Sequence, residues 1–294
     1  MGQYSIKELE KLSGIKAHTI RIWEKRHQII QPSRTDTNIR FYSDDDLKKI
    51  IQVALLNNHG LKISKIAGLS REQLAGHVND ISSTHLQADL HIDQLVLAMI
   101  DLDEMMFEKI MADLILRYGF ERAITEIVYP FLEKIGILWL THNITPAQEH
   151  FISTLIRQKI IVAIDALPLA PPSAPGVLLH LPEQELHELG LLFYCYIVKK
   201  MGFRTWYLGQ MVPYDDLISI CNVHHPQFLI CSITSSPSSD NLQAYLNKLC
   251  KARSASRILI SGQMVRKTNL RKPSNLQIFS TISELKGFLL KIDV

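Results

Sequence analysis

The sequence predicts a multidomain chain of three fold classes in series: a winged helix-turn-helix, a four-helix bundle and a Rossmann-like (flavodoxin-like) α/β domain. Three observations carry this. Positive excess is confined to residues 1–80, where 13 Lys/Arg face 9 Asp/Glu, against 19 and 20 over the remainder. Apolar residues then recur at helical spacing through residues 92–167. Beyond a proline-rich stretch, short apolar runs alternate with amphipathic segments, the pattern of a parallel sheet with helices on both faces. At 294 residues the chain exceeds the usual size of one domain. The expected boundaries are 1–75, 90–167 and 176–294.

Composition sets the class. Hydrophobic residues make up 47% and charged ones 21%, and no apolar run is long enough to span a bilayer, so no membrane partner is expected. Met1-Gly2-Gln3-Tyr4 leads directly into a polar helical pattern without the basic and apolar regions of a signal peptide, so the expected compartment is the cytoplasm. Cys195, Cys221, Cys231 and Cys250 form no C-x-x-C pair, which predicts buried thiols in a reducing compartment.

In the first module, Ser5 and Glu8 form a capping box that starts a helix carrying Ile6, Leu9 and Leu12, and Gly14 ends it. A second helix, about 16–25, buries Ile20 and Trp23 and turns Lys16, His18, Thr19, Arg21 and Lys25 outward. Two short helices joined by a glycine turn make a helix-turn-helix, whose second helix enters the major groove of DNA. After Pro32, residues 33–42 read as a hairpin wing, with Asn38 suited to the left-handed turn and with Arg34, Arg40 and Tyr42 as further DNA contacts. Double-stranded promoter DNA is the partner such a basic module implies. Ser43 and Asp44 to Asp46 cap another helix.

These residues resemble the MerR family of transcription regulators. The matching stretches are Tyr4 to Leu9, Gly14-Ile15, Thr19 to Arg26, Pro32, Arg34-Thr35, Arg40 to Tyr42 and Asp46-Leu47. They look most like the subgroup that carries cobalamin domains. Asn38 stands where the family's wing usually has glycine.

Residues 76–90 read as a linker. Helices are expected at 92–105, 106–118, 120–138 and 146–167, the last with Thr145 as N-cap and Pro146 in its first position. Trp139 is followed, after nine residues, by Glu149-His150. By itself this spacing better suits a core residue at the bundle's end beside an exposed helical pair. It is also similar to the cap of cobalamin photoreceptors of the CarH and LitR type. That resemblance implies that Trp139, Glu149 and His150 cover the upper face of adenosylcobalamin. Leu140 stands where that pattern often has a histidine, with His142 nearby in another register.

Strands are expected at 176–181, 203–208, 227–233, 257–260 and 276–280. His187 then falls in the loop beyond the first strand, where open α/β sheets bind ligands. An imidazole there can ligate a metal through one nitrogen while Glu185 accepts a hydrogen bond from the other. Gly190, without a Cβ, lets a bulky ligand approach the backbone. Gly209, Ser232, Thr234, Ser261 and Gly262 lie at the other strand ends. In the cobalamin-binding fold, His187 is by resemblance the ligand below cobalt, and the nucleotide tail passes Ser232 and Gly262. Ser261 replaces the first of two glycines usual there.

The resemblance covers the chain in the photoreceptors' order. It implies a repressor, not an enzyme, whose homo-oligomer (dimer or tetramer) and DNA binding are controlled by adenosylcobalamin and light. A regulator of the same build acting independently of cobalamin, and a corrinoid methyl-transfer module, remain as alternatives. No spacing supports a Ser/His/Asp or paired-carboxylate catalytic site.

Overall fold

In the computed structural model, residues 3–35, 38–58, 60–70, 72–74, 76–77, 88–140, 144–235 and 239–291 are described, with the side chains of 137–140 and 239–240 excepted. Contacts divide the chain into two compact units, Met1–Ile152 and Ser153–Val294.

The first unit begins with α1 (Ile6–Ser13) and α2 (Ala17–His27). Ser5 and Glu8 make the capping box, and Gly14 closes α1 at φ 71°, a left-handed conformation glycine adopts without steric cost. Ile20 and Trp23 of α2 are buried against the module's core. The wing pairs β1 (Ser33–Arg34) with β2 (Arg40–Phe41) antiparallel, and Asn38 takes the expected left-handed turn at φ 63°. Helix α3 (Asp44–Asn58) places three aspartates at its positive end and buries Leu47, Ile50, Ile51 and Ala54. A single turn, α4 (Ile63–Ile66), follows. Residues 78–87, most of the expected linker, lie outside the described residues.

The bundle comprises α5 (Ala88–Asp101), α6 (Glu104–Tyr118), and α7 (Phe120–Ala123), which runs through one π turn (Ile124–Val128) into α8 (Tyr129–Leu140). Helix α9 (Pro146–Asp165) starts with Thr145 accepting from the Gln148 amide. Helix α5 is buried on every side from Leu90 to Ile100. Burial there includes Asp93, which pairs with Lys134 of α8 at 2.5 Å. Desolvation raises the Asp93 carboxyl above its ordinary range in spite of that partner. Lys48 of α3 pairs with Asp101 at the end of α5, joining the reader to the bundle.

The second unit holds five parallel strands: β3 (Gly176–Pro182), β4 (Arg204–Val212), β5 (Phe228–Ser232), β6 (Arg257–Ser261) and β7 (Leu276–Ile278). Their order is β4-β3-β5-β6-β7, the flavodoxin-like order. Between them run α10 (Leu189–Lys200), α11 (Tyr214–His224), α12 (Ser239–Ala252), α13 (Gln263–Lys267) and, last, α14 (Ile282–Leu290). Leu178, Leu229, Ile258 and Ile260 pack with Leu217, Leu242, Leu246 and Leu249 of α11 and α12. The central strands β3 and β5 are buried along their whole length because both faces are covered, which is why they read as runs and not as alternations. All four cysteines are buried thiols. No described helix is long and apolar enough to cross a membrane.

Strand order decides where a ligand can sit. The order in which the parallel strands are laid down reverses its direction between β3 and β5, and ligands of open α/β sheets bind beyond the carboxyl ends of two such strands.

Candidate functional site

His187 stands beyond the carboxyl end of β3. Its loop leaves β3, and its side chain is 60% exposed while Glu185 beside it is wholly buried. Glu185 Oε1 lies 2.6 Å from His187 Nδ1 and accepts from the His187 amide at 3.0 Å. Its other oxygen accepts from the Thr234 and Ser235 amides of the loop after β5, at 2.7 and 2.8 Å. Ser235 Oγ adds contacts to Glu185 at 3.3 Å and to His187 Nδ1 at 3.3 Å. Burial works to raise the Glu185 carboxyl, but the imidazole and three backbone amides outweigh it and hold the group well below the usual carboxylate range. One ionised carboxylate therefore clamps the two loops of the switch point and turns Nδ1 inward, so a metal would be met by Nε2.

A further network fixes the loop's other end. Arg157 of α9 pairs with Glu188 at 2.8 Å, Tyr207 of β4 donates to Glu188 at 3.4 Å, and Gln210 donates to the Leu186 carbonyl at 2.6 Å. The exposed imidazole thus rests on a loop anchored from α9, β4 and β5.

The donor set limits what His187 can hold. Among the described residues no group of three His, Cys, Asp or Glu comes together. One imidazole suits a metal that brings its remaining ligands with it, such as the cobalt of a corrin ring.

Beside the loop, register pairs Ser232 with Ser261 at the ends of β5 and β6, both buried. Gly190 opens α10 opposite them: a Cβ there would stand 3.6 Å from Ser232 Oγ and 3.8 Å from the Tyr194 phenol oxygen. Gly262 has a purely internal reason to be glycine, since a Cβ would fall 2.1 Å from the Ile233 carbonyl oxygen and φ is 111°. Gly209 is buried in β4 at φ 78°, facing His180 where the β3–β4 register shifts. Thr234 contributes its amide to Glu185.

In the bundle, Glu149 and His150 occupy the first turn of α9, joined at 2.8 Å, with His150 largely exposed. Trp139 is the penultimate residue of α8; its side chain and His142 lie outside the described residues.

In the reader, Lys16, His18, Arg21 and Lys25 are exposed on or just before α2, with Thr19 half-buried among them. Lys16 pairs with Glu10 at 3.1 Å. Arg34 and Arg40 are exposed on the wing, Arg34 donating to Asn38 and Arg40 lying 3.7 Å from Glu24. Tyr42 corrects the expectation of a DNA contact. It is fully buried, exchanges backbone hydrogen bonds with Tyr4 and donates its hydroxyl to Glu24. Packing claims the ring, so Tyr42 braces the wing against α2.

Sequence reasoning missed Ser235, Glu188, Arg157 and Tyr194. Only Tyr194 carried a local signal, standing one helical turn beyond Gly190.

Family models match the reader and the helical module. Residues 4–73 match the MerR HTH family regulatory protein model, and residues 91–163 match the B12 binding domain model. The chain joins a MerR-type reader to a B12-binding module. It is 28% identical over 255 residues to the HTH-type transcriptional repressor CarH of Myxococcus xanthus, covering 85% of each chain. It is 27% identical over 265 residues to the repressor CarA of the same organism, covering 87% of this chain and 85% of CarA. In fold it is similar to the Methanosarcina barkeri monomethylamine corrinoid protein, with a TM-score of 0.56 and 14% identity over 70% of this chain and 99% of that one.

Proposed function

We propose that this MerR-type B12-binding chain is a transcription repressor that recognises promoter DNA through α2 and the wing and whose DNA binding is controlled by adenosylcobalamin. The observation that carries this reading is the buried, ionised Glu185 presenting His187 at the switch point of a parallel sheet, in a chain that begins with a DNA reader. Likeness to two repressors of the same build supports it.

The roles follow from chemistry. Glu185 fixes the tautomer of His187 and increases its basicity toward the metal. Arg157, Tyr207 and Gln210 hold the loop so that no ordering cost falls on binding. Glu149 and His150 present hydrogen-bonding groups suited to ribose hydroxyls, and an indole at Trp139 suits an adenine face. Adenosylcobalamin would supply a light-labile cobalt–carbon bond. Lys16, His18, Arg21, Lys25, Arg34 and Arg40 take phosphates and base edges. Several readers joined in a dimer or tetramer would engage one operator, each later contact being intramolecular. The cytoplasm is the compartment where promoter DNA is met, and no reaction is assigned to the chain.

Absorbance titration of the full chain in the dark tests this. Adenosylcobalamin is expected to give the spectrum of histidine-ligated cobalt and a larger species on gel filtration that shrinks after green light. His187→Ala is expected to lose that spectrum. A wild-type chain with no spectral change at saturating vitamin sinks the proposal. One observation favours a second reading, a regulator of the same build that works without cobalamin: a tyrosine stands beside Gly190 where a nucleotide tail would run.

A further inference from the structure

Three features at the strand ends beside the His187 loop converge on that tyrosine. Tyr194 of α10 accepts a hydrogen bond from Ser261 Oγ at 2.9 Å, and Ser232 hydrogen-bonds the same phenol. A Cβ on Gly190 would touch the phenol oxygen at 3.8 Å and the ring carbon bearing it at 3.9 Å. The ring lies edge-on to Phe279, with centroids 5.0 Å apart. Gly190, Ser232 and Ser261, the positions a nucleotide tail would pass, therefore surround a side chain of this protein.

Space decides the consequence. The base of the cobalamin nucleotide is a bicyclic aromatic larger than a phenol, and at interior packing density the two cannot share one groove. Admitting the base means rotating Tyr194 out, which breaks the Ser261 and Ser232 hydrogen bonds and the Phe279 contact. At the other end of the site His187 is exposed and held by Glu185.

We propose that Tyr194, latched by Ser261, is a specificity filter on the lower face: the chain selects corrinoids by the bulk of the nucleotide tail and favours those without one. This deepens the corrinoid reading and rests on His187 as metal ligand. Specificity here comes from a steric element set against the bulkier ligand and needs no added attraction to the smaller one.

The test compares two probes on the full chain in the dark: adenosylcobalamin, and adenosylcobinamide, which keeps the corrin and upper ligand but lacks the nucleotide. Dissociation constants are read from absorbance titration. Wild type is expected to bind adenosylcobinamide at least as tightly as adenosylcobalamin. Tyr194→Ala is expected to shift the ratio toward adenosylcobalamin by about tenfold or more, the scale of one removed steric conflict. Ser261→Gly removes one of the two hydroxyls that hold the phenol without hollowing the helix, and is expected to move the ratio the same way, by less, even if Tyr194→Ala folds poorly. A wild type that prefers adenosylcobalamin, with a ratio that neither variant moves, overturns the filter and leaves the His187 reading standing. Binding of neither probe by any of the three proteins overturns the His187 reading, and the filter with it.

Discussion

Glu185→Gln tests the clamp without any cofactor. Wild-type Glu185 gives one oxygen to the Thr234 and Ser235 amides and the other to the amide and ring of His187. A glutamine can present its single oxygen to one side only. If it keeps the two amides of the β5 loop, its NH2 group meets the His187 amide donor to donor. Charge is lost from two hydrogen bonds at about 1 kcal/mol each, and one buried amide is orphaned at about 1–3 kcal/mol, so about 3 kcal/mol of stability should go at neutral pH. For a unit of this size that is about 10 °C in Tm. The pH dependence has a definite sign. Because the folded carboxyl lies below its ordinary value of 4.5, its contribution is fully present above that value and is lost as pH falls through the range beneath it. Wild type and variant should therefore differ most at pH 7 and converge on acidification below about pH 4.5. Thermal unfolding by circular dichroism at pH 7 and pH 4 reads both. Equal Tm values at pH 7, or a gap that does not narrow in acid, would refute the clamp.

Other expectations are equally specific. Lys134→Met leaves Asp93 buried without its cation and should cost about 3–5 kcal/mol in denaturant unfolding; adding Asp93→Leu should recover most of it, and no recovery would mean that packing, not charge, was lost. His180, wholly buried in β3 with its Nε2 3.0 Å from Tyr245, has its imidazole pushed down to about 4 by desolvation. A depressed base stabilises the fold above its ordinary value of 6.5, and that stability drains as pH falls toward 4, by about 3 kcal/mol in all. His180→Leu should flatten the stability profile over that window, and an unchanged profile would place the acid sensitivity elsewhere. Gly262→Ala, facing a carbonyl oxygen at 2.1 Å, should lower the stability of the sheet unit by about 2 kcal/mol or more; a Tm like that of wild type would remove the close approach. Arg21→Ala should weaken promoter binding and lower the salt slope of log K by about 1 while leaving corrinoid titrations unchanged; an unaltered slope would take Arg21 off the phosphates.

Features that depend on a few neighbouring residues were legible in the chain alone. The Ser5–Glu8 capping box, the Gly14 stop, the left-handed Asn38 and the Thr145-Pro146 helix start appear as expected because each is satisfied within one turn of backbone. The central strands β3 and β5 were found from their apolar runs, since a strand covered on both faces has no polar side to hide it. The spacing of Glu185 and His187 likewise named a pair that the loop brings to 2.6 Å.

What the sequence determined by itself was thus the order of modules, their elements and the one imidazole worth watching, all written in local periodicity and capping. Tertiary structure alone decided what those residues meet. It turned Tyr42 into the core, against a partner 38 positions earlier; it brought Ser235 and Arg157 to the loop of His187; and it swung Tyr194 onto Ser261, 67 positions away. Such contacts follow from strand order and from competition for buried volume, and neither leaves a mark on residues adjacent in the chain.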